Sequence, residues 1–223
     1  MLDIQIEACV DSVESAVQAQ AGGAHRVELC DALYIGGTTP SPDTIARTRE
    51  RLKIGLFVLI RPRGGDFCYT TEEYETMARD VLRALALGAD GVVIGALTES
   101  GSVDQDRIRR LLEAAHPLPV TFHRAFDASR NLDESLDVLQ ELGFQRILTS
   151  GGAPTAEEGI PVLRRLVAKA DRVSILACGT IGANVRTIVR ETGVREVHMR
   201  ATRLRAVMDQ LTVGSTRTST SMP

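Results

Sequence analysis

The sequence predicts a single α/β domain over residues 1–211, a closed TIM (β/α)8 barrel with a shortened final helix. Three observations predict it. Eight short apolar runs recur along the chain, a segment with helical spacing separates each from the next, and a glycine precedes every even-numbered run. Strands that alternate with helices eight times specify a closed parallel barrel. The competing open, doubly wound sheet would want a Gly-rich phosphate turn after the first strand, and Cys9-Val10-Asp11-Ser12 offers none.

The first strand is expected at 4–9, and Asp11 with Glu14 reads as a capping box that opens the helix after it. Gly22-Gly23 ends that helix ahead of the second strand, 26–30. The third strand, 55–60, is an unbroken apolar run of the kind buried on both faces. It runs into Arg61-Pro62-Arg63-Gly64-Gly65-Asp66-Phe67, where Pro62 cannot donate to a ladder and the glycine pair frees the backbone. Thr70 with Glu73 opens the next helix, which carries Val81, Leu82 and Leu85 at helical spacing, and Gly88 precedes the fourth strand, 91–94. Leu111 and Leu112 mark the helix before the fifth strand, 120–124. Gly143 precedes the sixth, 146–149; Thr155 with Glu158 reads as a third capping box; the seventh strand is 173–177. Gly193 precedes the eighth, 196–198, and 201–211 forms a last short helix. The Ser/Thr-rich tail, 212–223, reads as disordered.

Composition narrows the function. A formal net charge of −3, with Lys/Arg scattered among Asp/Glu, leaves no basic stripe for nucleic acid or an anionic membrane. Three Tyr, five Phe and no Trp leave no stacking platform for bases. Asp3 and Glu7 stand where a signal peptide would need Lys/Arg, and no segment approaches a membrane span, so a soluble cytoplasmic protein is expected. The four cysteines, Cys9, Cys30, Cys68 and Cys178, form no CxxC pair and suit reduced thiols.

Candidate chemistry gathers at the carboxyl ends of the strands. Glu7-x-Cys9 and Glu28-x-Cys30 put two carboxylates and two thiols in adjacent rows, because residues two apart share a face. Two buried like charges raise one carboxyl pKa unless a cation stands between them, and Arg61 is the candidate cation. A structural ionic layer inside the barrel is an equal alternative. Arg61 and Arg63, expected to point the same way beside Gly64-Gly65 and Asp66, suit an anionic ligand; otherwise they close the barrel end with salt bridges. The fifth strand brings His123 to the same rim, followed by Arg124 and Asp127. Ser150-Gly151 after the sixth strand, and Gly179 to Gly182 after the seventh, resemble turns that cradle a phosphate with backbone N–H groups. Zinc patterns are absent, whereas Cys9 and Cys30 on neighbouring strands could form a soft two-thiolate Cu(I) site or remain two inert buried cysteines.

Taken together, Glu7-Ala8-Cys9, Arg26-Val27-Glu28-Leu29-Cys30, Gly36-Gly37-Thr38-Thr39-Pro40-Ser41, Ile60 to Phe67, Thr121-Phe122-His123-Arg124-Ala125-Phe126-Asp127 and Leu148-Thr149-Ser150-Gly151 resemble the CutC copper homeostasis family. The resemblance implies a TIM barrel, a cytoplasmic homo-oligomer, a role in copper homeostasis, and Cu(I) binding by Cys9 and Cys30. It weakens late, at Cys178-Gly179-Thr180-Ile181 and at Met199-Arg200. The alternative is a barrel enzyme acting on a small anionic ligand that carries a phosphate or carboxylate. There Glu28 or His123 would serve as general acid or base, with Arg61 and Arg63 holding the anion. A third reading is a structural or interaction protein on a retired enzyme scaffold.

Overall fold

The computed structural model describes residues 4–212 and has the expected closed barrel. The strands are β1 (Gln5–Val10), β2 (Arg26–Leu29), β3 (Gly55–Leu59), β4 (Gly91–Ile94), β5 (Val120–Phe122), β6 (Arg146–Thr149), β7 (Ser174–Ala177) and β8 (Glu196–Arg200). Each pairs in parallel with the next, and β8 closes on β1. The helices are α1 (Val13–Ala21), α2 (Pro42–Arg51), α3 (Thr71–Ala86), α4 (Gln105–Ala115), α5 (Leu132–Glu141), α6 (Ile160–Lys169), α7 (Val185–Thr192) and α8 (Leu204–Thr212). The short last helix is therefore present, preceded by one 3-10 turn, Ala201–Arg203. Of the expected tail, only Thr212 belongs to the described residues. No helix among them is long and apolar enough to cross a membrane.

Two of the expected capping boxes move. Helix α1 is capped by Ser12, which accepts from the Ser15 N–H at 3.1 Å while the Ser15 hydroxyl accepts the Ser12 N–H at 3.1 Å. The box sits one residue later than Asp11 because β1 runs on to Val10. Thr155 and Glu158 do bond each other, but in the turn before α6, whose cap is Gly159; Pro161 in its first turn fixes the start there. The Thr70 and Glu73 box on α3 is as expected. Gly23, Gly88, Gly143 and Gly193 all have φ between 79° and 92°, the left-handed conformation that ends the preceding helices.

The large apolar core lies between barrel and helices. Outward residues such as Val10, Leu29, Val58, Ile94 and Phe122 pack there. Inside the barrel the apolar groups are fewer, with Cys9, Cys30, Phe57, Leu59 and Val93 in one cluster and Leu148, Leu176 and Cys178 in another. The lower layer is ionic. Arg26 donates to Glu7 and to Glu196 at 2.5 Å each, and Arg146 reaches Glu196 at 3.2 Å. Both guanidiniums lie over the Phe57 ring, at 5.5 and 4.9 Å from its centroid. A Cβ at position 91 would collide with that ring, so Gly91 on the next strand is what gives Phe57 its space.

Candidate functional site

The upper end of the barrel opens into a cavity of about 540 Å³ whose floor includes Cys9, Glu28, Cys30 and His198. Register explains the floor. Cys9 stands opposite Glu28, not Cys30, so the stagger of the barrel offsets the two thiols by one pleat. Their sulfurs nevertheless meet at 3.4 Å, and Cys30 Sγ also donates to the Val10 carbonyl at 3.3 Å. Ligand atoms of Cys9, Glu28 and Cys30 all lie within 4.8 Å of one another. The hydrogen bond to Cys30, burial and the Glu28 charge push the Cys9 thiol pKa well above its usual value.

The cation between the two glutamates is not Arg61, as expected from the sequence, but the ring of His198, together with Arg26. Glu7 is fully buried and accepts from Arg26 and, at 2.7 Å, from His198 Nδ1; His198 Nε2 lies 3.7 Å from Glu28. Burial works against charge on His198, yet its contacts with Cys9, Glu7 and Glu28 outweigh that and raise its pKa well above the ordinary imidazole range. Burial also opposes ionisation of Glu7, but Arg26 and His198 prevail and hold it down to about 2. Glu28, buried and facing the Glu7 charge, is raised despite His198. The two carboxyls thus diverge.

Arg61 and Arg63 do not point the same way. Period-two alternation holds only on extended backbone, and β3 ends at Leu59 before a series of bends at 62–65. Arg61 stays inside, its guanidinium donating to the Gly37 and Gly65 carbonyls at 2.9 Å each and resting on the Phe67 ring. Arg63 turns outward to Glu73 at 2.6 Å, to the exposed Asp66 at 3.1 Å and to the Cys68 carbonyl at 2.8 Å. Arg63 and Asp66 accordingly form a surface clasp over the start of α3 and do not line the cavity.

His123 does reach the rim. Its Nδ1 accepts the Ala125 N–H at 3.1 Å, and its Nε2 is buried without a protein partner. Burial and the Arg61 charge lower its pKa to about 3, so the ring is neutral. Asp127 lies beneath the next turn. Its carboxylate accepts from Thr149, from the Ser150 and Gly152 N–H groups and from Arg124, which also reaches the Ser150 hydroxyl. The Gly151 N–H donates to Thr149 Oγ1. The expected phosphate cradle at Ser150-Gly151 is therefore already filled by the protein's own carboxylate.

His198, Arg26, Arg200 and Arg203 are not among the site residues expected from the sequence, although His198 stands out as the other strand-end imidazole. His198 carried a usable signal, since in Glu-Val-His-Met-Arg it alternates with buried Val197 and Met199 and so faces inward. Arg200 ends β8 and Arg203 ends the 3-10 turn that leads into α8, and both line the mouth.

Comparisons with known proteins bear on the family and the fold. A CutC family protein from Bacteroides fragilis is 50% identical over 204 residues, covering 90% of this chain and 81% of that protein. The human copper homeostasis protein cutC homolog is 46% identical over 198 residues, covering 88% and 72%. The crystal structure of CutC from Streptococcus agalactiae superposes with a TM-score of 0.83 at 38% identity, covering 87% of this chain and 97% of that one. Thiamine phosphate pyrophosphorylase from Pyrococcus furiosus, at 18% identity and a TM-score of 0.64, shares the fold alone. The CutC family model matches residues 4–203, nearly the whole barrel, and the chain belongs to the CutC family.

Proposed function

We propose that the chain serves copper homeostasis by binding Cu(I) through the thiolates of Cys9 and Cys30. The observation that carries this reading is the 3.4 Å approach of two sulfurs at the floor of an open cavity. The donor set fits the metal: thiolates are soft ligands that favour Cu(I), whereas the hard carboxylate of Glu28 adds nothing that this ion prefers. Two thiolates around one monovalent ion leave a net negative charge. The His198 imidazolium beside Cys9 offsets it. Binding must displace thiol protons, so affinity rises with pH. A cytoplasmic, homo-oligomeric protein, as the resemblance implies, goes with this reading, since a reducing compartment keeps both thiols free.

The test is anaerobic competition titration of Cu(I) against a chelator, in reductant, on the wild type and on Cys9→Ser/Cys30→Ser. One ion is expected to be held by the wild type and released by the double variant, with zinc binding far more weakly. Equal Cu(I) affinity in both proteins would make the thiols structural and remove the mechanism.

A further inference from the structure

The cavity is far larger than one metal ion requires. Its volume of about 540 Å³ falls among sites for organic ligands, roughly 300–1,000 Å³, whereas a water molecule takes about 30 Å³ in the liquid. Among the described residues that line it, Arg61, Arg124, Arg200 and Arg203 face a single carboxylate, Glu28. Arg124 is paired with Asp127, but Arg61, Arg200 and Arg203 form no ion pair among the described residues. The mouth is therefore a cationic funnel.

Two residues of its lining, His123 and Arg61, each carry a buried donor that no protein acceptor meets. Because His123 Nδ1 accepts the Ala125 N–H, the ring proton must sit on Nε2, which makes that atom a donor. The second is Arg61 Nε. Both residues are more than nine-tenths buried, and both flank the Phe67 ring: the His123 ring centroid is 5.0 Å from it and the Arg61 guanidinium 4.9 Å. Gly95 makes the arrangement possible, because a Cβ there would overlap the imidazole. A buried donor left without an acceptor loses its hydration uncompensated, so two on one wall point to an acceptor that arrives from outside. The thiol floor of the copper reading supplies no such acceptor.

We propose that this cavity binds a small organic oxyanion, a phosphate ester or carboxylate, whose oxygens accept from His123 Nε2 and the Arg61 guanidinium, with Arg200 and Arg203 drawing it in. The organic part lies against Leu33, Leu59 and Leu148, which belong to the same lining. This inference does not rest on copper.

Calorimetry at low ionic strength with inorganic phosphate, glycerol 3-phosphate and malate tests it, with glycerol as neutral control. The wild type should bind at least one anion with Kd in the millimolar range or tighter, weakening as NaCl is added. The organic phosphate and the dicarboxylate distinguish the two sources of the oxyanion. His123→Phe, which keeps a flat ring but no donor, should lose about tenfold in affinity. Arg200→Ala/Arg203→Ala, on exposed side chains, should weaken binding and flatten its salt dependence. If His123→Phe fails to fold by thermal melting, the arginine variant decides alone. Cys9→Ser/Cys30→Ser should bind the anion as the wild type does, so loss of copper and loss of the anion are separate outcomes. The proposal is overturned if no probe binds the wild type at about 10 mM, or if either folded variant binds as tightly as the wild type.

Discussion

Glu7 has no solvent exposure and two cationic partners, so its charge is compensated on both carboxylate oxygens. Replacing it by Gln leaves Arg26 and His198 with reduced compensation in a buried layer, which costs about 3–5 kcal/mol. The pH signature is specific. A carboxyl whose folded pKa is about 2, against 4.5 when free, contributes stability that is complete above 4.5 and is lost as pH falls towards 2. His198 runs the other way: its raised pKa contributes stability that is complete below 6.5 and fades as pH climbs through the folded value. Urea midpoints measured across pH should therefore show an acid limb between about 4.5 and 2, and Glu7→Gln should flatten it. A limb of the same size in both proteins would assign acid sensitivity to other carboxylates. An ionic layer around Glu7 was legible in the sequence, but its cations, Arg26 and His198, were not, because Glu7, Arg26 and His198 belong to the first, second and last strands. Only closure and stagger bring them together.

Elements were legible where the signal is local. Runs such as 91–94 and 146–149 are strands as expected because an apolar run bounded by turn residues specifies its own ends. Parity put Cys9 and Cys30 on the same face of neighbouring strands, since each lies on or beside an extended strand, while their 3.4 Å approach depends on the register. Arg61 and Arg63 could not be placed in this way, because Pro62 and the glycines after it take the chain off the strand and parity stops applying. Helix starts show the same limit: Asp11 and Ser12 are both good caps, and only the end of β1 at Val10 decides between them. This choice is measurable. Ser12→Ala should cost about 1 kcal/mol by chemical denaturation, while Glu14→Ala should stay within about 0.5 kcal/mol. The reverse order would return the cap to Asp11 and Glu14.

At the scale of the whole molecule, the barrel joins two systems that share a floor but not a purpose. The lower layer matches its carboxylates with cations, Glu7 with Arg26 and His198 and Glu196 with Arg26 and Arg146, whereas the upper cavity keeps thiols and arginines without an ion pair. Stability is thus concentrated below and binding capacity above, as is usual where a rigid barrel presents chemistry at the carboxyl ends of its strands. One consequence concerns metal loading. The two thiols sit on β1 and at the end of β2, which are 21 residues apart in sequence and meet only through strand pairing. An ion held by both therefore favours the folded chain over the unfolded one and stabilises it by mass action. At a free Cu(I) concentration 100 times Kd the gain is about 2.7 kcal/mol, which for a chain of this size raises Tm by roughly 5 °C. Thermal melts in reductant with and without buffered Cu(I) measure it, and Cys9→Ser/Cys30→Ser should abolish the rise. Unfolded chains also bind metals through free thiols, and Cys68 and Cys178 remain in the variant as an internal control for that. A rise that persists in the double variant would place the stabilising ion elsewhere, and no rise in the wild type would mean that folded and unfolded chains hold Cu(I) equally well.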